Sequence, residues 1–501
     1  MRLTFAIICL VLLLSNFGAI QSDEYVGEKN ALEDLNVASL YERISPDSRI
    51  NRTIDDIVKI LNETRTEFIF RAWWRWHPCP ENVTDPAFPA EYLEGVAEVG
   101  YTYEHLRKAS AAIKENNPNV IICGAVPAQF LFKKEWNPIT REILDENATG
   151  AMRLDPSKWG IDEELPSRYR GFPDITNPDF QELLLSWAKK QIDCGVDAIW
   201  IDMLFKQAKI LEGLTGDVYH QAVKESYEAA CKVVDEIHEY GNQKGKHIYV
   251  GTWAYTPLTF PYPPPELDFV TASPRIREIK ERKLNDTKWE FIINITREKL
   301  GDVPIIAFID WADTTNTPLG VFSQKLSKEE QREFLKYADR YFRKRGIIFA
   351  YPVHGGFMGK DAKILSFGKL GAYDSLAPEF DTYETIVELA KNKAQGNPLV
   401  SIERPRNCLY VFDKEIMPMK ISVIIGKITI VVDAFDEDGI SKVEFYIDDV
   451  LKFTDHDKPY SWIWNEFTIG WHVIKVVACD NEGNKAEDRI NVIALNFGGG
   501  K

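Results

Sequence analysis

Short apolar runs alternate with longer amphipathic segments between residues 37 and about 393. The short runs predict buried strands, and the longer segments, in which apolar residues recur every three or four positions, predict helices. The eight strand candidates are residues 37–43, 67–76, 119–130, 198–204, 247–253, 268–273, 304–311 and 346–353. Eight strand–helix units predict an α/β fold of the (β/α)8 TIM-barrel type, with an open doubly wound sheet as the alternative. Because no GxGxxG loop follows any of these strands, a dinucleotide-binding fold is not indicated.

The helical period disappears near residue 395. Short strands of alternating apolar and polar residues follow, separated by turns such as DEDG and DNEGN. This pattern predicts a small all-β sandwich of about 100 residues. We therefore divide the chain into an N-terminal segment (1–22), a barrel (23–396) and a β-sandwich (397–501).

The sandwich segment carries three features in a fixed order: a VEFYIDD hairpin, a Pro-Tyr-x-Trp strand and the DNEGN turn. In this order it resembles the bacterial Ig-like repeats that follow secreted carbohydrate-active enzymes, over most of residues 428–495. The resemblance implies an Ig-like accessory or spacer module without catalytic residues. Its expected partners are the cell surface or other domains.

The first 22 residues, MRLTFAIICLVLLLSNFGAIQS, contain one Arg followed by an apolar run at 5–14. This arrangement predicts a cleaved export signal, with an uncleaved anchor as the alternative. The run is shorter than the roughly 20 residues of a spanning helix, and no later segment is long and apolar enough to span a bilayer. We therefore expect a secreted or cell-surface protein whose mature chain has no membrane span.

Composition and charge narrow the class of protein. The chain is 45% hydrophobic and 27% charged, which is typical of a soluble globular protein, and its formal net charge of −16 argues against nucleic acid as a partner. Without Cys9 of the signal, six cysteines remain, and we expect a disulfide between Cys408 and Cys479. No CxxC pair is present, and His77 and Cys79 form no set with ligand spacing, so we predict no metal site and no cofactor.

Candidate chemistry is sought at the carboxyl ends of the barrel strands, where active sites of such barrels lie. Acids, arginines and aromatic residues at these positions suggest a polar, ring-shaped ligand such as a sugar. Cleaving a glycosidic bond requires two carboxyl groups, and we predict Asp202 and Asp310, at the ends of the fourth and seventh strands, as the catalytic pair. The predicted substrate-binding residues are Glu42, Arg71, Trp73, Trp74, Trp76, Trp253, Tyr255, Arg275, Asp313, Tyr351 and His354.

The segment DITNPDFQELLLSWAKKQIDCGVDAIWIDM ends at the fourth strand. It resembles the part of barrel glycoside hydrolases in which a segment of the type NP..Q..L...A......G.DGI..D leads into an acidic residue. The resemblance implies that Asp202 is a nucleophile or a sugar ligand. Families that use strands four and seven mostly place Glu at both, whereas this chain has Asp at both, so Asp313 and Glu42 stay open as alternatives to Asp310.

We therefore expect an exported glycosidase that acts on an extracellular or cell-surface polysaccharide. One alternative is a non-catalytic glycan-binding or envelope protein that retains the barrel. The other is a hydrolase of esters or amides, which would require a Ser or Cys nucleophile beside His354, although the chain has no GxSxG motif.

Overall fold

The computed structural model describes residues 32, 34–310, 314–357 and 371–498. The predicted export signal at 1–22 and the candidate residue Asp313 lie outside the described residues. Within the described part of the chain, no helix has the length and apolar character needed to cross a membrane.

Eight parallel strands form a closed barrel, because each strand pairs with the next and the eighth pairs with the first. The (β/α)8 prediction is therefore confirmed, and the open doubly wound sheet is wrong. The strands are β1 (Ala38–Tyr41), β2 (Phe68–Trp74), β3 (Ile121–Pro127), β4 (Ala198–Asp202), β5 (Tyr249–Trp253), β6 (Phe269–Ala272), β7 (Ile305–Phe308) and β8 (Ile348–Phe357). A further strand, β9 (Ala372–Asp374), pairs antiparallel with the end of β8.

Helices connect the barrel strands, and their buried faces cover the outside of the sheet. A capping box formed by Ser327 and Glu330 starts the helix that ends at Arg343. The helices are α1 (Ile54–Glu63), α2 (Ala90–Glu98), α3 (Tyr103–Asn116), α4 (Glu146–Ala151), α5 (Pro178–Asp193), α6 (Lys206–Thr215), α7 (Gln221–Gln243), α8 (Tyr255–Leu258), α9 (Ile276–Glu281), α10 (Asp286–Leu300), α11 (Pro318–Lys325), α12 (Lys328–Arg343) and α13 (Tyr383–Ala394).

Aromatic side chains fill the interior of the barrel. The Phe70 ring lies 5.3 Å from Trp200 and 4.7 Å from Phe308, and Phe68 contacts Phe269 at 5.5 Å, all between ring centroids. Such packing makes the barrel a solid core rather than a channel. A ligand can therefore bind only at the mouth or on the outer surface.

Two predicted substrate-binding residues belong to the outer core instead. Trp73 and Tyr351 are fully buried, so both predictions are corrected. The Trp73 ring stacks on Tyr101 at 5.2 Å, and the Tyr351 hydroxyl donates a hydrogen bond to Asp339 of α12 at 2.6 Å. Successive side chains of a strand alternate between the two faces of the sheet, and these two point towards the helices.

The described part of the C-terminal region, residues 397–498, is all β, as predicted, and its ten strands form two sheets. One sheet has the order β10–β14–β17 and the other the order β12–β11–β13–β19–β18–β15–β16. The strands are β10 (Leu399–Arg404), β11 (Cys408–Val411), β12 (Lys414–Pro418), β13 (Ser422–Ile425), β14 (Ile428–Phe435), β15 (Ile440–Ile447), β16 (Val450–Asp455), β17 (Ser461–Trp464), β18 (Thr468–Asp480) and β19 (Lys485–Asn496). The domain boundary at 396/397 stays a prediction.

The expected disulfide between Cys408 and Cys479 is absent, because both cysteines are free. Cys408 lies on β11 and Cys479 on β18, and strands β13 and β19 separate them in the sheet. Three strand spacings amount to roughly 14 Å, whereas the Cα atoms of a disulfide lie within about 7 Å. This prediction is therefore wrong.

Both thiols are expected to be chemically free in the folded protein. Iodoacetamide should modify the half-buried Cys408 in the native state and the buried Cys479 only after unfolding. Because no bond joins them, a reducing agent should leave the Tm of the sandwich unchanged. Mass spectrometry after alkylation, with and without reductant, checks this; labelling of either thiol that requires reductant would contradict it.

Candidate active site

Four of the predicted polar residues surround the mouth of the barrel. Glu42 follows β1, Arg71 lies on β2, Asp202 ends β4 and Asp310 follows β7. The Arg71 guanidinium lies between two of the carboxylates, with Nη2 at 2.7 Å from Oε1 of Glu42 and Nη1 at 3.7 Å from Oδ1 of Asp310. Arg71 is 2% exposed, whereas Asp310 is 34% exposed and therefore accessible to a ligand.

A bulge in β2 directs Arg71 into the mouth. The residue has φ +57°, and the pairing of β2 with β3 shifts register between Ile69 and Trp73. Non-glycine residues rarely adopt this conformation, and bulges near active sites re-aim side chains. The guanidinium carbon then lies 4.7 Å from the centroid of Trp74 and 5.5 Å from that of Trp200, so the aromatic rings hold the cation in place.

The Glu42 side chain packs against the backbone of two glycines of β8. Its Oε2 accepts a hydrogen bond from the backbone N–H of Gly356 at 2.8 Å. Gly355 has φ +145°, and a Cβ atom there would lie 2.7 Å from Cγ of Glu42, so only glycine fits. The sequence PVHGG therefore serves the close approach of the Glu42 side chain.

Asp202 uses both carboxylate oxygens. Its Oδ2 accepts a hydrogen bond from Nε2 of Gln129 at 2.6 Å, and its Oδ1 accepts one from Nε1 of Trp253 at 2.7 Å. Burial raises the pKa of Asp202, while the Trp253 hydrogen bond, the charge of Arg71 and the Gln129 hydrogen bond act in the opposite direction. A half-buried carboxyl group with a raised pKa at the mouth is suited to donate a proton.

This raised pKa predicts a pH-dependent stability difference. The native state holds the Asp202 proton more tightly than the unfolded chain, so Asp202 costs stability progressively as pH rises through the native pKa. An asparagine does not titrate. The Tm of Asp202→Asn minus that of the wild type should therefore increase between pH 4 and pH 8, as measured by calorimetry; a constant difference would contradict the raised pKa.

An aromatic wall lines one side of the mouth. Trp76 stacks on Phe130 with 5.2 Å between centroids and 17° between planes, and Trp74 lies 6.0 Å from Trp76. Trp76, Phe130 and Trp253 are half-buried, so each presents part of its ring to solvent. Flat aromatic rings stack on the apolar faces of sugars. The sequence places Gln129 at the end of the third strand, yet neither Gln129 nor Phe130 is among the predicted substrate-binding residues, although they lie two and three residues after β3.

The structure shows no side-chain contact between three other predicted residues and the carboxylates of Glu42, Asp202 and Asp310 in the described part of the chain. His354 is 5% exposed, and its Nδ1 hydrogen-bonds Asp374 at 2.7 Å, so the structure gives it a structural partner in place of a substrate contact. Tyr255 is 55% exposed and faces Phe291. Arg275 is exposed at the start of α9, and roles in substrate binding for it and for Tyr255 stay predictions.

Comparisons with known proteins identify the C-terminal region. The family model described as "Bacterial Ig domain" matches residues 416–476. Fibronectin(III)-like modules of CbhA from Clostridium thermocellum align at 25% identity, over 20% of this chain and 48% of that one, with a TM-score of 0.17. No curated protein sequence matches the chain.

Several solved structures align with most of the chain, among them the following two. A β-glucuronidase from Bacteroides uniformis is 9% identical, over 92% of this chain and 46% of that one, with a TM-score of 0.37. A modular endo-β-1,4-mannanase from Cellulomonas fimi is 11% identical, over 92% and 94% of the two chains, with a TM-score of 0.35. The chain spans less than half the length of the glucuronidase.

Strand pairing and the family match together define the class of protein. The chain is a closed (β/α)8 barrel followed by an all-β region that matches the bacterial Ig domain family over residues 416–476. Because such barrels host many chemistries, activity must be argued from the site itself.

Proposed function

We propose that the protein is a secreted glycoside hydrolase that cleaves a polysaccharide outside the cell or at its surface by a two-carboxylate mechanism. The observation that carries this proposal is the arrangement at the mouth, where Glu42 and Asp310 pair with the buried Arg71. Arg71 also acts electrostatically on Asp202, so three carboxyl groups face one cation. The half-buried aromatic wall beside them offers a surface for a sugar ring.

The two environments suggest two roles. Asp202, whose pKa burial raises, donates its proton to the glycosidic oxygen as the bond to the anomeric carbon breaks. Asp310, paired with Arg71 and partly exposed, acts as the carboxylate that attacks the anomeric carbon or activates a water molecule. Arg71 holds Asp310 in position, and Glu42 in turn holds Arg71. Both of these side chains are largely shielded from solvent.

The Ig-like domain supports an extracellular location, because the family that it matches is a bacterial Ig domain. We propose that this domain contacts the cell surface while the barrel mouth binds a polysaccharide. The export signal predicted at 1–22 is consistent with this location.

A non-catalytic glycan-binding protein is the second candidate. One observation favours it: both oxygens of Asp202 already accept hydrogen bonds, as those of a structural carboxylate would. Hydrolysis of esters or amides is less favoured, because it needs a Ser or Cys nucleophile at Nε2 of His354 and the sequence has no GxSxG motif, although a catalytic triad also uses a contact like that of Nδ1 with Asp374.

Reducing-sugar release from a panel of neutral and acidic polysaccharides tests the proposal. We expect the wild type to release sugar from at least one polysaccharide, and the double variant Asp202→Asn/Asp310→Asn to bind that polysaccharide without cleaving it. The exposed Asp302→Asn is the matched control and should be fully active. Binding without release by the wild type would reject the hydrolase and support the glycan-binding alternative.

A further inference from the structure

A second cluster of chemically versatile side chains lies at the opposite end of the barrel. His238 belongs to α7, His247 lies two residues before β5, and Asp268 directly precedes β6. Residues that precede parallel strands lie at the amino-terminal end of a barrel, away from the mouth. The cluster is therefore separate from the proposed hydrolase site.

Both imidazoles point at one carboxylate. Nε2 of His238 lies 2.8 Å from Oδ2 of Asp268, and Nε2 of His247 lies 2.7 Å from Oδ1. The two imidazole rings are nearly parallel, 5.5 Å apart. One ligand atom from each residue lies within 4.8 Å of the other two.

These separations are close to those of a metal-bound state. Zinc binds imidazole nitrogen and carboxylate oxygen at about 2.1 Å in tetrahedral geometry, which sets neighbouring ligand atoms roughly 3.4 Å apart. The nitrogen–oxygen distances of 2.7 and 2.8 Å would thus have to increase by less than about 1 Å. Side-chain rotation of the half-exposed His247 can supply most of this change, because that residue is 48% exposed.

The surroundings hold Asp268 in place and add negative charge. Oδ2 of Asp268 accepts a hydrogen bond from the backbone N–H of Val250 at 2.7 Å, which fixes the carboxylate against β5. Asp235 lies on α7, one helical turn before His238, and burial together with repulsion from Glu266 raises the pKa of Asp235.

We propose that His238, His247 and Asp268 form a binding site for a divalent transition-metal ion, zinc above all, with water as the fourth ligand. Two imidazoles and one carboxylate are a ligand set that zinc and similar ions prefer. A bound ion would link α7 to the residues that precede β5 and β6. It would thereby stabilise the amino-terminal end of the barrel. Sequence spacing does not reveal this site, because the pairing of β5 with β6 brings His247 and Asp268 together and α7 supplies His238.

Titration of the metal-free protein with zinc chloride, followed by isothermal calorimetry, tests this site. We expect one zinc ion per chain and, with Co²⁺ in its place, the visible absorption of a four-coordinate complex. His247→Gln should weaken zinc binding about 100-fold or more, because even partners that only orient ligands contribute 10- to 100-fold. His472→Gln is the matched control, since His472 pairs with Asp448 at 2.6 Å without a second histidine, and it should bind zinc like the wild type.

Thermal unfolding separates a metal site from a purely structural cluster. Zinc should raise the Tm of the wild type by a few degrees and leave that of His247→Gln unchanged. If His247→Gln fails to fold, His238→Gln replaces it in the same test. The proposal is overturned if the wild type binds no zinc at this stoichiometry, if the ligand variants bind zinc as well as the wild type does, or if zinc leaves the Tm of the wild type unchanged.

Discussion

Replacing Asp202 by asparagine is expected to lower kcat on the polysaccharide substrate by about 1,000-fold, within the range that general acids contribute. On a glycoside with a very good leaving group, such as 2,4-dinitrophenolate, the same variant should lose much less activity. The reason is that such a leaving group departs without a proton, so the proton of Asp202 is no longer required. Asp310→Asn should lose activity on both substrates, because every substrate needs the second carboxylate. Steady-state kinetics on the two substrates measures the difference.

The variant is expected to fold, which makes the kinetic comparison meaningful. The amide of asparagine has nearly the shape of the carboxylate but carries one N–H donor group in place of an oxygen. Gln129 can accommodate this change, since its Oε1 is buried without a hydrogen-bond partner in the described structure and can accept that N–H after rotation of the amide. The Nε1–H of Trp253 can still donate to the remaining oxygen.

Gln129→Glu is a useful companion to this variant, because it tests the same contact from the other side. A second carboxyl group beside Asp202 would raise the pKa at which Asp202 loses its proton, so the alkaline limb of the kcat profile should move to higher pH. If Asp202→Asn instead loses equal activity on both substrates, Asp202 is the nucleophile and the roles are reversed. Full activity of Asp202→Asn on the polysaccharide would remove Asp202 from the mechanism.

Hydrophobic period alone predicts the barrel and the sandwich, because strands buried on both faces and amphipathic helices leave different patterns. The orientation of individual side chains in β2 cannot be predicted in the same way. Phe70 and Arg71 are neighbours, yet both contact Trp200 inside the barrel. The bulge at Arg71 thus changes the alternation, and Trp73 turns outwards. A bulge does not change the spacing of hydrophobic residues in the sequence. The sequence therefore could not show that Trp73 points towards the helices whereas Trp74 points towards Arg71.

The sequence predicts only which residues of the candidate site lie at the carboxyl ends of the strands. Asp202, Asp310, Glu42 and Arg71 were selected because side chains at the carboxyl ends of parallel strands meet at one mouth. Their contacts depend on register and closure, which sequence does not show. The same limit explains the wrong disulfide, since the two cysteine-bearing strands lie far apart in the sheet order.

Arg71→Met is expected to lower the free energy of unfolding by about 3–5 kcal/mol, the usual effect of removing one partner of a buried ion pair. Methionine can still pack against Trp74 and Trp200, so the loss is electrostatic: Glu42, only 12% exposed, is left without its cation. Urea unfolding followed by tryptophan fluorescence measures the change. Arg275→Met, at an exposed position, is the matched control and should change stability by no more than about 0.5 kcal/mol.

The double variant Arg71→Met/Glu42→Gln separates the buried charge from loss of packing. A neutral glutamine can keep the hydrogen bond from Gly356, so the double variant should be more stable than Arg71→Met alone, although it has one more substitution. A loss of less than about 1 kcal/mol in Arg71→Met would show that Arg71 does not hold the mouth together. A double variant no more stable than Arg71→Met would show that the unpaired Glu42 charge is not the cause of the loss.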